Sequence, residues 1–589
     1  MSLSTRPAGR GAKLFHWEFR EERPDHARDL AASLRISPAV ARVLANRGHG
    51  ESATGVDNFV NPSLSALHDP MVLSGMSEGL DRVVKAIENR EKITIYGDYD
   101  TDGATSTALM LKVFHFLNVP VNYYIPHRVD EGYGLNVAAI DGLAEAGTRV
   151  LISVDCGITA VAQVAHAQAR GVDVIVTDHH QPGEELPTAV AVINPNRRDC
   201  AYPNKHLTGV GVAFKFCHAL LKRLRVPKDK AQPLLRSLLD LVAIGTIADV
   251  APLSGENRIL VKHGLAQMLR TTNPGILGLL RMLEMEGVRI TTKKIGFQVA
   301  PRLNAAGRTD HARICVESLT ADDEQLAFQI AARLDQYNRD RRAVETRIFE
   351  QTLQFIAEQV DLDRERVIVV SGRDWHVGVI GIVASRIMEV YDRPVIIISE
   401  HDGGAKGSAR SIKGFNIHDA LNACSDHLVT FGGHPFAAGL QLLPERIKPF
   451  RDALNDYARE RLSEEALIPS LTIDTLVEPQ EVDAGFIKDL EMLEPFGPSN
   501  PSPLFAMRGL RLAEQPRVVG VGGRHLKLSL SSEGRYFSAI GFGMGEHASQ
   551  LAGKGNVRLD AAFVPMLNDY YSEGRVEMEL KDLKLSADA

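Results

Sequence analysis

The sequence predicts an α/β protein of several domains, opening on a doubly wound parallel sheet and closing on a small β-barrel or sandwich. Three observations predict it. Short apolar runs alternate with helix-length stretches from about residue 76. The 38 positions from 323 to 360 contain neither Gly nor Pro. The last part of the chain alternates apolar and polar residues between glycine turns. The first pattern is that of βαβ units, the second that of a long helix, and the third that of short strands in a closed or sandwiched sheet.

The chain of 589 residues has room for about three to five domains at roughly 150 residues each. Residues 1–75 are expected to form an N-terminal extension with a helical segment. Residues 76–322 hold the first α/β domain, with strands expected at Ile93 to Tyr96, Val121 to Ile125, Val150 to Val154, Val172 to Thr177 and Ala189 to Ile193. Helices are expected between them over about 104–118, 136–147 and 159–170. Along 323–360, Leu326, Ile330, Leu334, Tyr337, Val344, Ile348 and Phe355 keep helical spacing. At 1.5 Å per residue this is a rod of about 57 Å, which suits a connector between two lobes. Residues 361–462 repeat an α/β pattern on a smaller scale, with strands at Val367 to Val370 and Val395 to Ile398, a helix over 377–391, and the Gly-rich stretches GGAKGSARS (403–411) and FGGHPFAAG (431–439). Within 463–589, PFGPSNPSP (495–503) has the turn chemistry of a linker. The segments His525 to Leu530, Tyr536 to Ile540 and Val576 to Leu580 then alternate as strands do.

Apolar residues make up 44% and charged residues 24% of the chain, a globular composition that excludes a mainly disordered protein. Sixty-seven Lys and Arg against 74 Asp and Glu give a net charge of -7, which excludes binding nucleic acid by bulk positive charge. Any polyanion site must therefore be local. The five cysteines (Cys156, Cys200, Cys217, Cys315, Cys424) are scattered and form no CxxC pair, supporting neither a disulfide framework nor a zinc site. MSLSTRPAGRGAK at the N-terminus is followed by no apolar signal core, and no uninterrupted apolar run reaches the length of a membrane span. A soluble cytoplasmic protein with no membrane partner is expected.

Function is written where the acids fall. ITIYGDYDTDG sets Asp98, Asp100 and Asp102 just past one strand, VLISVDCG sets Asp155 at the end of a second, and VDVIVTDHH sets Asp178, His179 and His180 at the end of a third. Ligands of open parallel sheets bind outside the carboxyl ends of the strands, so these residues are expected to converge. Carboxylates a few ångströms apart raise each other's pKa and cannot all stay ionised unless cations neutralise them. Oxygen and imidazole donors without thiolate favour manganese or magnesium over structural zinc. Asp249, ending the apolar run LVAIGTIADVAP, would complete the set. Two ions suit phosphodiester hydrolysis, because one lowers the pKa of a water while both stabilise charge on the phosphorane oxygens. Asp155, alone at its strand end between the other two clusters, is the candidate bridge.

The motifs YGDYDTDG (96–103), SVDCG (153–157), TDHH (177–180), GTIADV (245–250), APRLNAAGR (300–308), GRDWHVGVIGIVASR (372–386), GSARS (407–411) and GGHPFAAG (432–439) occur in that order. On them the chain resembles the DHH phosphoesterase family, and within it the single-strand-specific exonucleases, over nearly its whole length. The resemblance implies a DHH catalytic domain, a long connecting helix, a smaller DHH-associated domain that clamps the strand, and a C-terminal OB-fold. It also implies that Asp100, Asp102, Asp155, His179 and Asp249 ligate two divalent ions, Mn2+ or Mg2+, with Asp98 nearby as a further acid. One ion would be shared by Asp102, Asp155, His179 and Asp249, and the other held by Asp155 with the first acids of the DYD run. His180 would touch substrate phosphate or assist proton transfer.

The implied activity is 5′→3′ digestion of single-stranded DNA to 5′-mononucleotides in recombination and repair. The implied partners are a single-stranded-DNA-binding protein and a repair helicase, and a monomer is expected. Relatives that act on short oligonucleotides or cyclic dinucleotides carry a His four residues before the DxD, where this chain has Tyr96. That alternative also predicts a shorter chain without the barrel. A catalytically dead scaffold would have lost metal ligands that are present here.

Between Arg289 and Arg313 lie six basic residues (Arg289, Lys293, Lys294, Arg302, Arg308, Arg313) and one acid, Asp310, a local patch able to grip phosphates. By the resemblance Arg302, Asn304 and Arg308 belong to the substrate path. In the second lobe, glycines permit close backbone approach while Ser408, Arg410 and His434 offer donors to a phosphate. Trp375 and His376 are candidates for a base or phosphate contact, with a buried structural Trp the expected use. Arg524, Lys527, Arg535, Tyr536 and Phe537 suit a strand-binding barrel surface or plain barrel architecture equally.

Overall fold

Every residue of Ile93–Tyr96 and Val150–Val154 is buried, as happens to a strand covered on both faces. These segments belong to a five-stranded, all-parallel sheet of β1 (Ile93–Tyr96), β2 (Val121–Tyr124), β3 (Val150–Val154), β4 (Asp173–Thr177) and β5 (Ala191–Ile193), in the order β2-β1-β3-β4-β5. Alternate side chains feed two cores. Ile93, Ile95, Ile152 and Ile175 face one, with Ala104, Ala108 and Val113 of helix α1 (Thr101–Phe116). Tyr96, Leu151, Val174 and Val176 face the other, with Ile140 and Val164. The order in which strands are added reverses between β1 and β3, the switch point at which such sheets open a crevice.

The computed structural model describes residues 15–50, 53–128, 130–309, 311–553, 557–568 and 575–586. The N-terminal residues 1–13 and Asp310, both used in the sequence reading, lie outside them. The chain divides into two units, one of Asn61–Arg342 with Glu494–Pro501, the other of Met1–Val60, Ala343–Leu493 and Ser502–Ala589.

In the first unit the sheet is followed by helices α2 (Gly209–Arg223), α3 (Leu239–Ala248) and α4 (Gly255–Met268). A π-helical turn, Ile295–Val299, then runs directly into α5 (Ala300–Thr309). The short segment Glu494–Pro501 is bound to this unit. Arg258, 2% exposed, donates to the carbonyls of Glu494 at 2.9 Å and Pro495 at 3.3 Å. Thr292 Oγ1 donates to Phe496 O at 2.6 Å and Leu253 N to Pro498 O at 2.8 Å. The reading of 495–503 as a free linker is thus corrected: its turn residues fold against the catalytic unit because they satisfy a buried guanidinium. By length and composition Lys228–Ala248 is apolar enough to cross a membrane. It is instead two successive helices, Lys228–Ser237 and Leu239–Ala248, the second carrying the buried Asp240.

Helix α6 (Glu324–Gln359) is continuous over 36 residues, about 54 Å. The second unit holds a five-stranded mixed sheet built from Ile368–Arg373, Val395–His401, Gly404–Arg410, Thr430–His434 and Ala437–Leu442. The Gly-rich GSARS stretch is thus an inner strand. A seven-stranded sheet over Thr475–Leu585 closes through an additional pairing of Phe505–Leu512 with His525–Ser532, giving the expected barrel. The N-terminal strand His16–Phe19 pairs in parallel with Ser470–Ile473 beside it.

Candidate metal centre

The parallel register aligns the carboxyl ends of β1, β3 and β4, with Tyr96 opposite Ser153 and Val154 opposite Thr177. Each strand therefore delivers its acids to one rim. Asp98 lies in the turn after β1. Asp100 caps α1, accepting from Gly103 N at 3.0 Å. Asp102 sits in the first turn of α1 and accepts from Gly209 N at 2.7 Å and Val210 N at 2.9 Å, so the amides that open α2 hold it. Asp155 follows β3 with φ 61°, a left-handed conformation uncommon outside glycine and characteristic of sites under constraint. Asp249 caps the C-terminus of α3.

The ligand atoms fall into overlapping groups, each lying within 4.8 Å: Asp98, Asp100 and Asp155; Asp102, His179 and Asp249; and Asp155, His179 and His180. His179 Nε2 is 3.1 Å from Asp155 Oδ1, 3.9 Å from Asp102 Oδ2 and 4.0 Å from Asp249 Oδ2. Yet His179 Nε2, Asp155 Oδ1 and Asp98 Oδ1 are all buried without a hydrogen-bond partner. Native proteins rarely leave such atoms unsatisfied. Asp155 belongs to one ligand group with Asp98 and to another with His179, so these unsatisfied oxygens and nitrogen are donors suited to divalent cations in adjoining groups.

The electrostatics agree with this fit. Burial, and then the Asp249 charge, pushes Asp102 up to about 7. Burial, and then Asp100, pushes Asp249 up to about 7. Asp98 and Asp155 are driven well above the carboxylate range by burial and by neighbouring carboxylates. Burial pulls His179 below its ordinary value, leaving a neutral imidazole with a free lone pair. The acids repel one another and the histidine is not cationic, so the charge balance calls for bound cations.

Asp178 behaves differently from the other acids. It is fully buried, its Oδ1 accepts from the amides of His179 at 2.7 Å and His180 at 3.1 Å, and its Oδ2 accepts from Ile158 N at 2.9 Å. Burial, the largest single influence, works against its charge, but the His180 hydrogen bond and charge, the Ile158 amide and the His179 charge together outweigh it and hold the carboxyl low. His180 Nδ1 donates to it at 2.8 Å. Burial is the largest single influence and lowers the His180 pKa, yet the Asp178 hydrogen bond together with the charges of Asp178, Asp249 and Asp102 raises it to about 9. Asp178 is a brace, which orients one histidine and charges the other.

Small residues set the dimensions. A Cβ on Gly209 would lie 2.5 Å from Asp155 Cβ, and one on Gly245 would lie 2.7 Å from Asp102 Oδ1. Tyr96, the last residue of β1, is buried with its hydroxyl donating to Gly134 O at 3.1 Å, and the first group contains Asp98.

The predicted substrate residues fall in two places. Helix α5 packs on the acidic loop, where a Cβ on Gly307 would meet Tyr99 O at 2.4 Å. Asn304 Oδ1 accepts from Thr101 N at 2.9 Å and Thr101 Oγ1 at 2.8 Å. Arg302 binds Asp335 through Nε and Nη2, at 2.9 and 2.8 Å, and donates from Nη1 to Gln298 O at 2.7 Å. Both therefore hold the loop and helix in place, while Arg308 lies further along α5. Ser408, Arg410 and His434 belong to the other unit. Arg410 donates to Ser408 Oγ at 3.1 Å and to Ser385 Oγ at 3.2 Å, and His434 is exposed on the outermost strand. Trp375 is 8% exposed, its Nε1 donating to Gln351 at 2.8 Å, and His376 caps the helix Val377–Tyr391.

Three supporting residues escaped the sequence reading. Asn194 and Asn196, past β5, donate to the carbonyls of His180 at 2.9 Å and His179 at 2.6 Å. Tyr133 donates to Asp155 O at 3.2 Å and lies 3.0 Å from His180 Nδ1. The asparagines were findable, because INPN also follows a strand of the same sheet. Nothing in GYGLN marks Tyr133.

A parallel sheet whose switch point gathers acids and a histidine pair defines the DHH class of phosphoesterases, and residues 92–246 match the model of the DHH family, N-terminal domain. Residues 364–460 match the DHHA1 domain, and residues 473–582 match the RecJ OB domain. The chain belongs to the RecJ family. It is 38% identical over 577 residues to the single-stranded-DNA-specific exonuclease RecJ of Bacillus subtilis, covering 98% of this chain and 71% of the relative. It is 37% identical to the Escherichia coli protein of the same name, covering 88% and 90%. The crystal structure of RecJ from Thermus thermophilus in complex with Mn2+ superposes with a TM-score of 0.81 at 29% identity, covering 97% of this chain and 79% of that one. The Mg2+ complex gives 0.77 at 28%, covering 97% and 78%.

Proposed function

We propose that the chain is a metal-dependent exonuclease for single-stranded DNA that hydrolyses phosphodiester bonds from the 5′ end and releases 5′-mononucleotides. The observation that carries this is the pair of ligand groups, Asp98/Asp100/Asp155 and Asp102/His179/Asp249, brought side by side by the 3.1 Å approach of His179 Nε2 to Asp155 Oδ1. Two Mn2+ or Mg2+ ions held there would supply an activated water and stabilise charge developing on phosphate oxygens. The chain's own residues do the rest. The amides of Gly209 and Val210 fix Asp102, the left-handed backbone at Asp155 aims its carboxylate between the groups, and Asp178 sets both histidines. His180, its pKa raised to about 9 and so cationic near neutrality, would donate to a substrate phosphate or assist proton transfer. Arg308, and Arg410 of the DHHA1 domain, would neutralise strand phosphates, and Ser408 and His434 of the same domain would offer them hydrogen bonds. Arg302 and Asn304 serve the path by holding α5 against the acidic loop.

Domain bounds of 76–322, 361–462 and 463–589 enclose the three family matches, and the helix at 323–360 joins the first two. Membership of a DNA-processing family and five buried free cysteines support a cytoplasmic protein of recombination and repair. The proposed partners are a single-stranded-DNA-binding protein and a helicase. Digestion of an end-labelled single strand with manganese, magnesium or chelator is the test. Mononucleotides appearing from the 5′ end, only with metal, are expected. Release from the 3′ end, or equal digestion under chelator, would overturn the reading.

A further inference from the structure

Two backbone outliers belong to the end of α3 that Asp249 caps and to the turn packed on it, and each leaves an apolar side chain exposed. The first is Val250, directly after the ligand, with φ 58° and 67% exposure. A β-branched residue in the left-handed region is strained. The second is the π-helical turn Ile295–Val299, a rare geometry that concentrates at functional sites. It packs on the last turn of α3, where a Cβ on Gly296 would lie 3.8 Å from Ile247 Cγ2. It holds Phe297 60% exposed in a run that starts with Lys293 and Lys294 and continues into α5. A π-helical turn that carries an exposed phenyl ring, preceded by two lysines and packed on the helix that ends in a candidate metal ligand, has the composition of a single-strand platform. Such platforms combine cations for the backbone with an aromatic face for a base.

We infer that Phe297, on the π-helical turn packed against the last turn of α3, is a nucleobase-stacking surface that seats one base of the single strand next to the cleavage centre. The inference rests on the nuclease reading and adds a residue outside the metal and phosphate contacts. Stacking on an aromatic face tolerates any base, so this surface would fix the position of the strand without selecting its sequence.

The test uses full-length protein with oligonucleotides carrying 2-aminopurine at successive positions, bound under chelator. Wild-type protein should quench one position strongly. Phe297→Ala should remove that quenching and weaken binding about 5- to 100-fold, and Phe297→Trp should restore both. An abasic site at that position should erase the difference between wild type and Phe297→Ala. Unchanged quenching and affinity in Phe297→Ala, or an equal loss on abasic and normal strands, would overturn the stacking site. Digestion of the same strands by wild type in manganese is scored separately, so failure of the nuclease reading is told apart from failure of this one.

Discussion

The acidic rim of the catalytic unit and the Gly-rich sheet of the DHHA1 unit both drew attention in the sequence for their polar residues, and they turn out to be physically opposite. At the rim, buried oxygens and a nitrogen have no hydrogen-bond partner and the acids raise one another's pKa. In the DHHA1 sheet, Arg410 is satisfied by Ser408, Ser385 and the Ala409 carbonyl, and His434 stands in solvent. A site built for a small, highly charged ligand stores its demand as unmet valence. A surface built for a long polyanion stores little, because each phosphate is gripped weakly and from the side.

That contrast can be broken by substitution. The largest effect is expected at Asp155→Ala, where strand hydrolysis falls to the uncatalysed background while the metal-free thermal midpoint stays level or rises, since a repelled buried carboxylate has been removed. Retained turnover in manganese would end the bridging role. Next, millimolar Mn2+ should raise the wild-type midpoint, by about 2.7 kcal/mol of stabilisation once the ion exceeds its Kd about a hundredfold. Asp155→Ala should lose most of this, as calorimetry would show. Asn196→Ala frees the His179 carbonyl and should weaken manganese binding about 10- to 100-fold with the fold intact, measured by titration. Arg302→Ala should cost about 1–3 kcal/mol in chemical denaturation through loss of the Asp335 pair. Smallest, Arg308→Ala should lower the salt slope of strand binding by about one at most, and His434→Ala, at an exposed edge-strand position, should weaken strand binding slightly and leave denaturation unchanged. A fold cost there equal to that of Arg302→Ala would erase the distinction between brace and grip.

The legible part of the site was the part governed by chain period. Strand ends are marked by apolar runs that stop, and a parallel register must bring those stops to one rim, so Asp98, Asp102, Asp155 and His179 could be placed together before any coordinate. The long helix and the barrel strands were legible for the same reason, their pattern being one-dimensional. Arg302 and Asn304 were harder. Their sequence context shows that they matter but not what they touch, and the geometry spends them on Asp335 and Thr101. Tyr133 was invisible, because a tyrosine between glycines carries no periodic or charge signal and its contact to His180 spans 47 residues. The π turn was equally hidden, since KKIGFQVA differs in no evident way from an ordinary helix.

The short return of Glu494–Pro501 to the catalytic unit bears on how freely this protein can be dissected. Arg258 is buried inside that unit, yet its acceptors, the carbonyls of Glu494 and Pro495, are supplied from more than 230 positions downstream. A fragment ended after helix α6 would take both of these acceptors from a buried guanidinium, at a penalty on the order of 1–3 kcal/mol. Modularity inferred from three tidy family matches therefore overstates how independent the pieces are. A truncation meant to isolate the hydrolase would need the octapeptide supplied in trans, or a neutral replacement for Arg258.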